Sequence, residues 1–299
     1  MIELKRYSKD PIFYPRKDNS WESSAVFNAA AICDNGLVHM IYRATDISSS
    51  GREGAYINSL GYAVSKNGVD FNRLEKPILK NDTVQETRGP EDPRVVKIDS
   101  TFYMMYTGFG GRYDSDYRIC LATSKNLIDW NRQGVVLDEP NKDASLFPEK
   151  IDGQFVMFHR RSPDIWLATS YDLITWTNHL PIITIKEDSK WENNKVGIAG
   201  PPIKTSVGWF LIYHAVDQNM VYRLGALLLD LCDPTTVIAR QPTPILEPEL
   251  EWELHGHVKN VVFSCGQVLI DDEIYVYYGG ADNAIGLAKM NYEDIYSLA

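Results

Sequence analysis

Ile119-Cys-Leu-Ala-Thr-Ser-Lys-Asn-Leu-Ile-Asp-Trp130 returns 46 residues later as Ile165-Trp-Leu-Ala-Thr-Ser-Tyr-Asp-Leu-Ile-Thr-Trp176. An earlier copy, Gly61-Tyr-Ala-Val-Ser-Lys-Asn-Gly-Val-Asp-Phe71, places its serine 59 residues before Ser124. Each copy leads into a short apolar run: Lys76-Pro-Ile-Leu79, Val135-Val-Leu137 and Pro181-Ile-Ile183. A looser copy is Leu224-Gly-Ala-Leu-Leu-Leu-Asp-Leu-Cys-Asp-Pro234, followed by Pro244-Ile-Leu246, and a truncated one is Ile285-Gly-Leu-Ala-Lys289. An aromatic strand precedes each copy, at Leu37–Arg43, Thr101–Tyr106, Gln154–Arg160, Trp209–His214 and Glu273–Tyr278. Before each of these lies a further apolar segment, at Ala25–Ile32, Pro93–Ile98, Ala144–Ile151, Gly200–Lys204 and Val258–Val262. Five units of three or four strands, spaced by roughly 46–60 residues, predict an all-β, five-bladed β-propeller. One catalytic domain, 1–299, is expected. A β-sandwich with a second domain is the alternative, but the repeats cover nearly the whole chain without a linker.

Composition agrees. The 299 residues are 44% hydrophobic and 11% aromatic, with 20 glycines and 15 prolines. That suits many short strands and turns. Short helices are expected only in part of Glu187–Asn194 and in Tyr292–Leu298. A net charge of −10 without long basic runs argues against nucleic acid or an anionic membrane as partner. The N-terminal residues lack the apolar core of a signal peptide, and no apolar stretch approaches a membrane span. Cys33, Cys120, Cys232 and Cys265 have no CxxC spacing. They read as ordinary thiols in a reducing cytoplasm, with no disulfide frame or metal site.

In a propeller the innermost strands line the channel, and sites sit at its mouth. The expected inner-strand residues are Asn28, Asp92, Glu149 or Lys150, Lys204 and Asn260. The second-strand ends add Arg43, Thr107, Arg160, His214 and Asp282. The densest stretch is Arg88-Gly-Pro-Glu-Asp-Pro-Arg94, with two carboxylates, two arginines and two prolines. Proline pushes its preceding residue toward extended geometry, so Asp92 is expected to be extended and stiffly held. A carboxylate so placed suits an acid or base. Arg160, Lys204, His214 and Tyr222 would together make a cationic pocket. In an acidic protein this implies a small anion, and phosphate fits the arginine fork and lysine point charge. Arg161 competes with Arg160, because only one of two neighbours on a regular strand points inward. Glycosidic chemistry usually needs two carboxylates. Asp92 is one; Glu149 and Asp282 are weaker contenders for the second. With an anion pocket in its place, phosphate becomes the nucleophile and the reaction is phosphorolysis. Rings such as Tyr106 and Phe109 could stack on sugars.

Gly89-Pro-Glu-Asp-Pro-Arg94, Phe147-Pro-Glu-Lys150 with His159-Arg160, Gly200-Pro-Pro-Ile-Lys204, Tyr222-Arg-Leu-Gly225 with Leu229-Asp230, Asn260-Val-Val-Phe263 with Cys265-Gly266, and Tyr277-Tyr-Gly-Gly-Ala-Asp282 resemble glycoside hydrolase family 130. The family comprises inverting β-mannoside phosphorylases and related β-1,2-mannosidases on five-bladed propellers. The resemblance implies that Asp92 is the single catalytic acid, its proton relayed through the mannose 3-hydroxyl. It implies that Asn28, Arg43, Arg94 and Asp282 bind mannose, and that Arg160, Lys204, His214 and Tyr222 bind phosphate. It implies a manno-oligosaccharide substrate, β-1,2-linked by preference, with inorganic phosphate as co-substrate, no cofactor and no metal. A hydrolase using water, a phosphorylase of β-1,4-linked mannosides and a non-catalytic sugar-binding propeller are the rivals. Specificity for the leaving sugar is expected in loops Ile47–Asn58 and Gly110–Tyr117. Homo-oligomer formation stays open.

Overall fold

The computed structural model describes residues 1–46 and 56–298. Most of the expected Ile47–Asn58 rim loop therefore lies outside the described residues. The chain forms five antiparallel sheets in sequence order, each a blade. Blade one is Ala25–Asp34, Leu37–Thr45, Asn58–Ser65 and Asn72–Arg73; blade two is Gly89–Ile98, Thr101–Phe109, Tyr117–Ser124 and Trp130–Val135. Blade three is Lys142–Leu146, Phe155–Arg161, Asp164–Ser170 and Thr177–Ile183. Blade four is Lys195–Ile198 with Ile203–Lys204, then Trp209–Val216, Tyr222–Leu229 and Val237–Arg240. Blade five is Val262–Ile270, Glu273–Gly280 and Ala284–Asn291, completed by the N-terminal strand Lys5–Arg6, which pairs with Ala284–Asn291. The two ends of the chain thus close the ring within one sheet.

The recurring serine phrase is a turn device. Ser65, Ser124 and Ser170 each accept the amide N–H three residues on through Oγ, all at 2.9 Å. Asn67, Asn126 and Asp172 accept two further amides each, at 2.8–3.0 Å. Local side-chain acceptors of this kind satisfy a turn that no ladder covers. Apolar side chains from neighbouring blades merge into five clusters, one per blade–blade junction. No blade could bury its faces alone.

Four blades share a buried polar anchor. A tyrosine on the second strand donates to a glutamate from the preceding linker: Tyr42 to Glu22, Tyr106 to Glu86, Tyr213 to Glu192 and Tyr278 to Glu253, at 2.6–2.8 Å. An arginine pairs with each glutamate: Arg73, Arg132, Arg240 and Arg6. Blade three departs from this. His159 takes the tyrosine's place and lies between Asn141 (2.9 Å) and His179 (3.0 Å).

Of the two helical expectations one holds: Tyr292–Leu298 is a 3₁₀ helix, whereas Glu187–Asn194 contains no helix, and an unexpected short α-helix forms at Glu251–Leu254. Inner strands are also displaced from expectation. The third begins at Lys142, the fourth at Lys195, and the fifth begins at Val262. The polar mouth is formed by the starts of inner strands and the ends of second strands.

Candidate active site

Three consecutive blades open their inner strands with the same irregularity. Pairing jumps between Phe27 and Ala30, between Glu91 and Arg94, and between Lys142 and Ser145. The bulged residues Asn28, Asp92 and Asp143 have φ of 49°, 49° and 55°. Asp92 is therefore left-handed, not extended as its following proline suggested. A bulge re-aims a side chain, and Asp and Asn tolerate this region best among non-glycine residues. The bulges turn a polar group from each of these blades toward one cleft. Asn28, Arg43, Asp92, Lys142, Asp143, Arg160, Lys195, Tyr222 and Asp282 line it.

Asp92 sits on the blade-one and blade-two side and is 5% exposed. It accepts from Asn28 Nδ2 at 2.8 Å and lies 3.2 Å from Arg43 Nη1. Burial works to raise its pKa, but Arg43, Arg94 and Lys142, with the Asn28 bond, hold it below the usual carboxylate range. Glu91 beside it goes the other way, raised by burial and by the Asp92 charge against the pull of Arg43. Arg43 also bonds Glu91 Oε1 (2.8 Å) and Asn58 Oδ1 (3.0 Å), and Asn58 Nδ2 donates to Glu91 (2.8 Å). Asn28 Oδ1 is buried without a hydrogen-bond partner among the described residues. A buried orphan acceptor beside a carboxylate suits a hydroxyl-bearing ligand.

The opposite wall is cationic. Arg160 points into the cleft, while Arg161 turns away to Glu139 (2.8 Å) and the Trp166 ring. Lys142 and Lys195 stand beside Arg160, with Lys195 Nζ 5.0 Å from the centre of the Tyr222 ring. Lys204, expected here, is elsewhere. It ends the inner segment of blade four opposite Trp209, at the hairpin end remote from His214, and pairs with Glu149 at 2.6 Å. Glu149 is thereby removed as a second carboxylate. The inner strand of blade four is broken by Gly200-Pro-Pro202, so Lys204 falls one segment beyond the mouth.

Arg94 is a second correction. It is 1% exposed beneath the cleft and donates to the carbonyls of Asp92, Ile198 and Ala199, each at 2.9 Å. It ties blade two to blade four instead of facing a sugar. His214 lies one layer behind Tyr222 and Phe263, fully buried, its ring 4.4 Å from Phe263 and its Nε2 3.5 Å from Asp143 Oδ2. Burial pushes its pKa down to about 4. Lys142, Asp143, Lys195 and Asn58 were missed by sequence reasoning. Lys142-Asp-Ala-Ser145 matches Glu91-Asp-Pro-Arg94 in strand position, a signal hidden because nothing but the aspartate is shared. Among the described residues no group of three His, Cys, Asp or Glu is arranged to hold a metal ion, and no helix is long and apolar enough to cross a membrane.

The family model described as beta-1,4-mannooligosaccharide phosphorylase matches residues 5–299. The chain is 65% identical to a 1,2-beta-oligomannan phosphorylase of Thermoanaerobacter sp. (strain X514), over 99% of both chains. It is 53% identical to a beta-1,2-mannobiose phosphorylase of the same organism, again over 99% of each. Among solved structures, beta-1,2-mannobiose phosphorylase from Listeria innocua in complex with beta-1,2-mannobiose superposes with a TM-score of 0.89, at 28% identity and over 99% of both chains. With its five blades, its three bulges and these relatives, the chain belongs to glycoside hydrolase family 130.

Proposed function

We propose that this protein is an inverting phosphorylase of β-1,2-linked manno-oligosaccharides, forming α-mannose 1-phosphate and a sugar shortened by one unit. The observation that carries the reading is the division of the cleft. One acid candidate, Asp92, faces a wall of cations from blades three and four (Lys142, Arg160 and Lys195). Inverting hydrolases place a second carboxylate opposite the acid to activate water. Here the carboxylate on that side, Asp143, is bound up with Arg160 at 2.6 Å. A phosphate held there needs no base.

In this reading Asn28, Arg43 and Asp282 hold the terminal mannose, and Asn28 Oδ1 gains a hydroxyl donor. Phosphate sits against Arg160, Lys142, Lys195 and Tyr222, in line with the anomeric carbon. It attacks the face opposite the leaving oxygen, the glycosidic bond breaks, and the proton from Asp92 reaches that oxygen through the mannose 3-hydroxyl. Bound phosphate offsets Lys142, one of the cations that keep Asp92 ionised, so its arrival raises the proton affinity of the acid. No cofactor enters the scheme, and the scattered thiols suit a reducing cytoplasm. The β-1,2 linkage rests on the two relatives at 65% and 53% identity.

The test is incubation with β-1,2- and β-1,4-mannobiose, each with and without phosphate. Phosphate-dependent release of mannose 1-phosphate from the β-1,2 disaccharide is expected. Equal release of free mannose without phosphate would mean a hydrolase.

A further inference from the structure

Asp143 occupies in blade three the bulge that carries Asn28 in blade one and Asp92 in blade two. It is 1% exposed. Its Oδ2 lies 2.6 Å from Arg160 Nη1 and 3.5 Å from His214 Nε2, and its Oδ1 accepts from Arg94 Nη2 at 3.4 Å. The approach of ring and carboxylate depends on Gly197. A Cβ there would stand 2.4 Å from His214 Nε2 and 2.8 Å from Asp143 Oδ2. Burial opposes the charge of Asp143, but Arg160, His214 and Arg94 hold its carboxyl well below the usual range. An ionised carboxylate repels an incoming anion, so this one is not there to touch phosphate. Its neighbours give it another task. Arg160 is a long side chain at a strand end, and a buried anchor removes the rotamer freedom that ligand binding would otherwise have to remove. The same oxygen faces His214 Nε2 at 3.5 Å, longer than a normal hydrogen bond.

We infer that Asp143 is a positioning residue for the attacking anion, acting through Arg160 to hold the phosphate-binding wall in place before phosphate arrives. The inference rests on the phosphorylase reading and adds a residue that the reading does not require. It separates from a purely structural role in two ways: the effect falls on phosphate and not on sugar, and it vanishes when Arg160 is gone.

The experiment is a double-mutant cycle on the full chain with Asp143→Asn, Arg160→Ala and both together. Phosphate Kd is read by calorimetry, alongside kcat and the KM values for phosphate and β-1,2-mannobiose. Asp143→Asn is expected to weaken phosphate about tenfold or more, to leave the mannobiose KM within about twofold, and to add less than about threefold once Arg160 is alanine. An equal factor in both backgrounds, or a parallel loss for mannobiose, overturns the inference. Should the asparagine variant not fold, Asp143→Glu serves in both backgrounds. Moving the carboxylate by one methylene should shift phosphate affinity only where Arg160 is present, and an equal shift overturns the inference. Wild-type enzyme that makes no mannose 1-phosphate overturns reading and inference together. Wild-type enzyme that makes it, with additive variants, overturns the inference alone.

Discussion

Asp92, the acid of the proposed mechanism, is held at φ 49° with Asn28 and Arg43 on its carboxylate. Asp92→Asn keeps the shape and a tolerated left-handed residue, so sugar affinity by calorimetry should change little. Turnover should fall about 10²–10⁴-fold, the range for a lost general acid; substantial residual turnover would remove Asp92 from that role. The corrected cationic wall makes a paired prediction. Lys195→Ala should raise the phosphate KM about tenfold or more, as for one charge-assisted contact. Lys204→Ala should leave it unchanged, because Lys204 is half exposed on Glu149 at the remote hairpin end. Asp92 was legible as the acid candidate because two prolines, two arginines and two carboxylates in seven residues are hard to read as filler. Lys142 and Lys195 were not, because a lysine's place at the mouth is set by strand register, and register depends on bulges that leave no mark in composition.

The blades themselves were legible wherever the turn chemistry was written out. Ser-x-Asn or Ser-x-Asp with an aromatic to follow fixed the hairpins of the first three blades, and each forms the same set of side-chain-to-amide bonds. The phrase marks the outer hairpins and not the inner strands, which were misplaced in blades three, four and five, and in blade four this put Lys204 at the wrong end. Four tyrosine–glutamate–arginine anchors repeat behind the second strands, and blade three replaces its anchor with His159, whose neighbour in sequence is Arg160. Burial, with His179 and Arg161, lowers the His159 pKa from 6.5 to about 3. In the unfolded chain His159 takes up a proton as the pH falls below 6.5; in the folded chain it does not until about 3. Its contribution to stability is therefore complete above 6.5 and is lost as the pH falls toward 3, at about 1.4 kcal/mol per pH unit for one proton. Chemical denaturation between pH 7 and 4 should show this slope, and His159→Gln should reduce it by about one proton. An unchanged slope would mean that the histidine titrates normally.

The molecule as a whole is a ring closed by its own N-terminus. Lys5–Arg6 completes blade five, Ile2 and Leu4 are buried in the cluster between blades four and five, and Arg6 pairs with Glu253 at 2.8 Å. Burying two such aliphatic side chains is worth about 3–6 kcal/mol. Removing residues 1–8 should thus lower the melting temperature by on the order of 10 °C, read by scanning calorimetry. A shift of a degree or two would mean that the ring does not depend on this closure. In the proposed mechanism the ring also sets the stereochemistry, because it puts Asp92 on one side of the cleft and Lys142, Arg160 and Lys195 on the other. Phosphorus-31 NMR of the first product formed from β-1,2-mannobiose and phosphate tests that division most directly. The account predicts α-mannose 1-phosphate, formed with inversion and in step with phosphate consumption. First-formed β-mannose 1-phosphate, or free mannose with phosphate unconsumed, would contradict it.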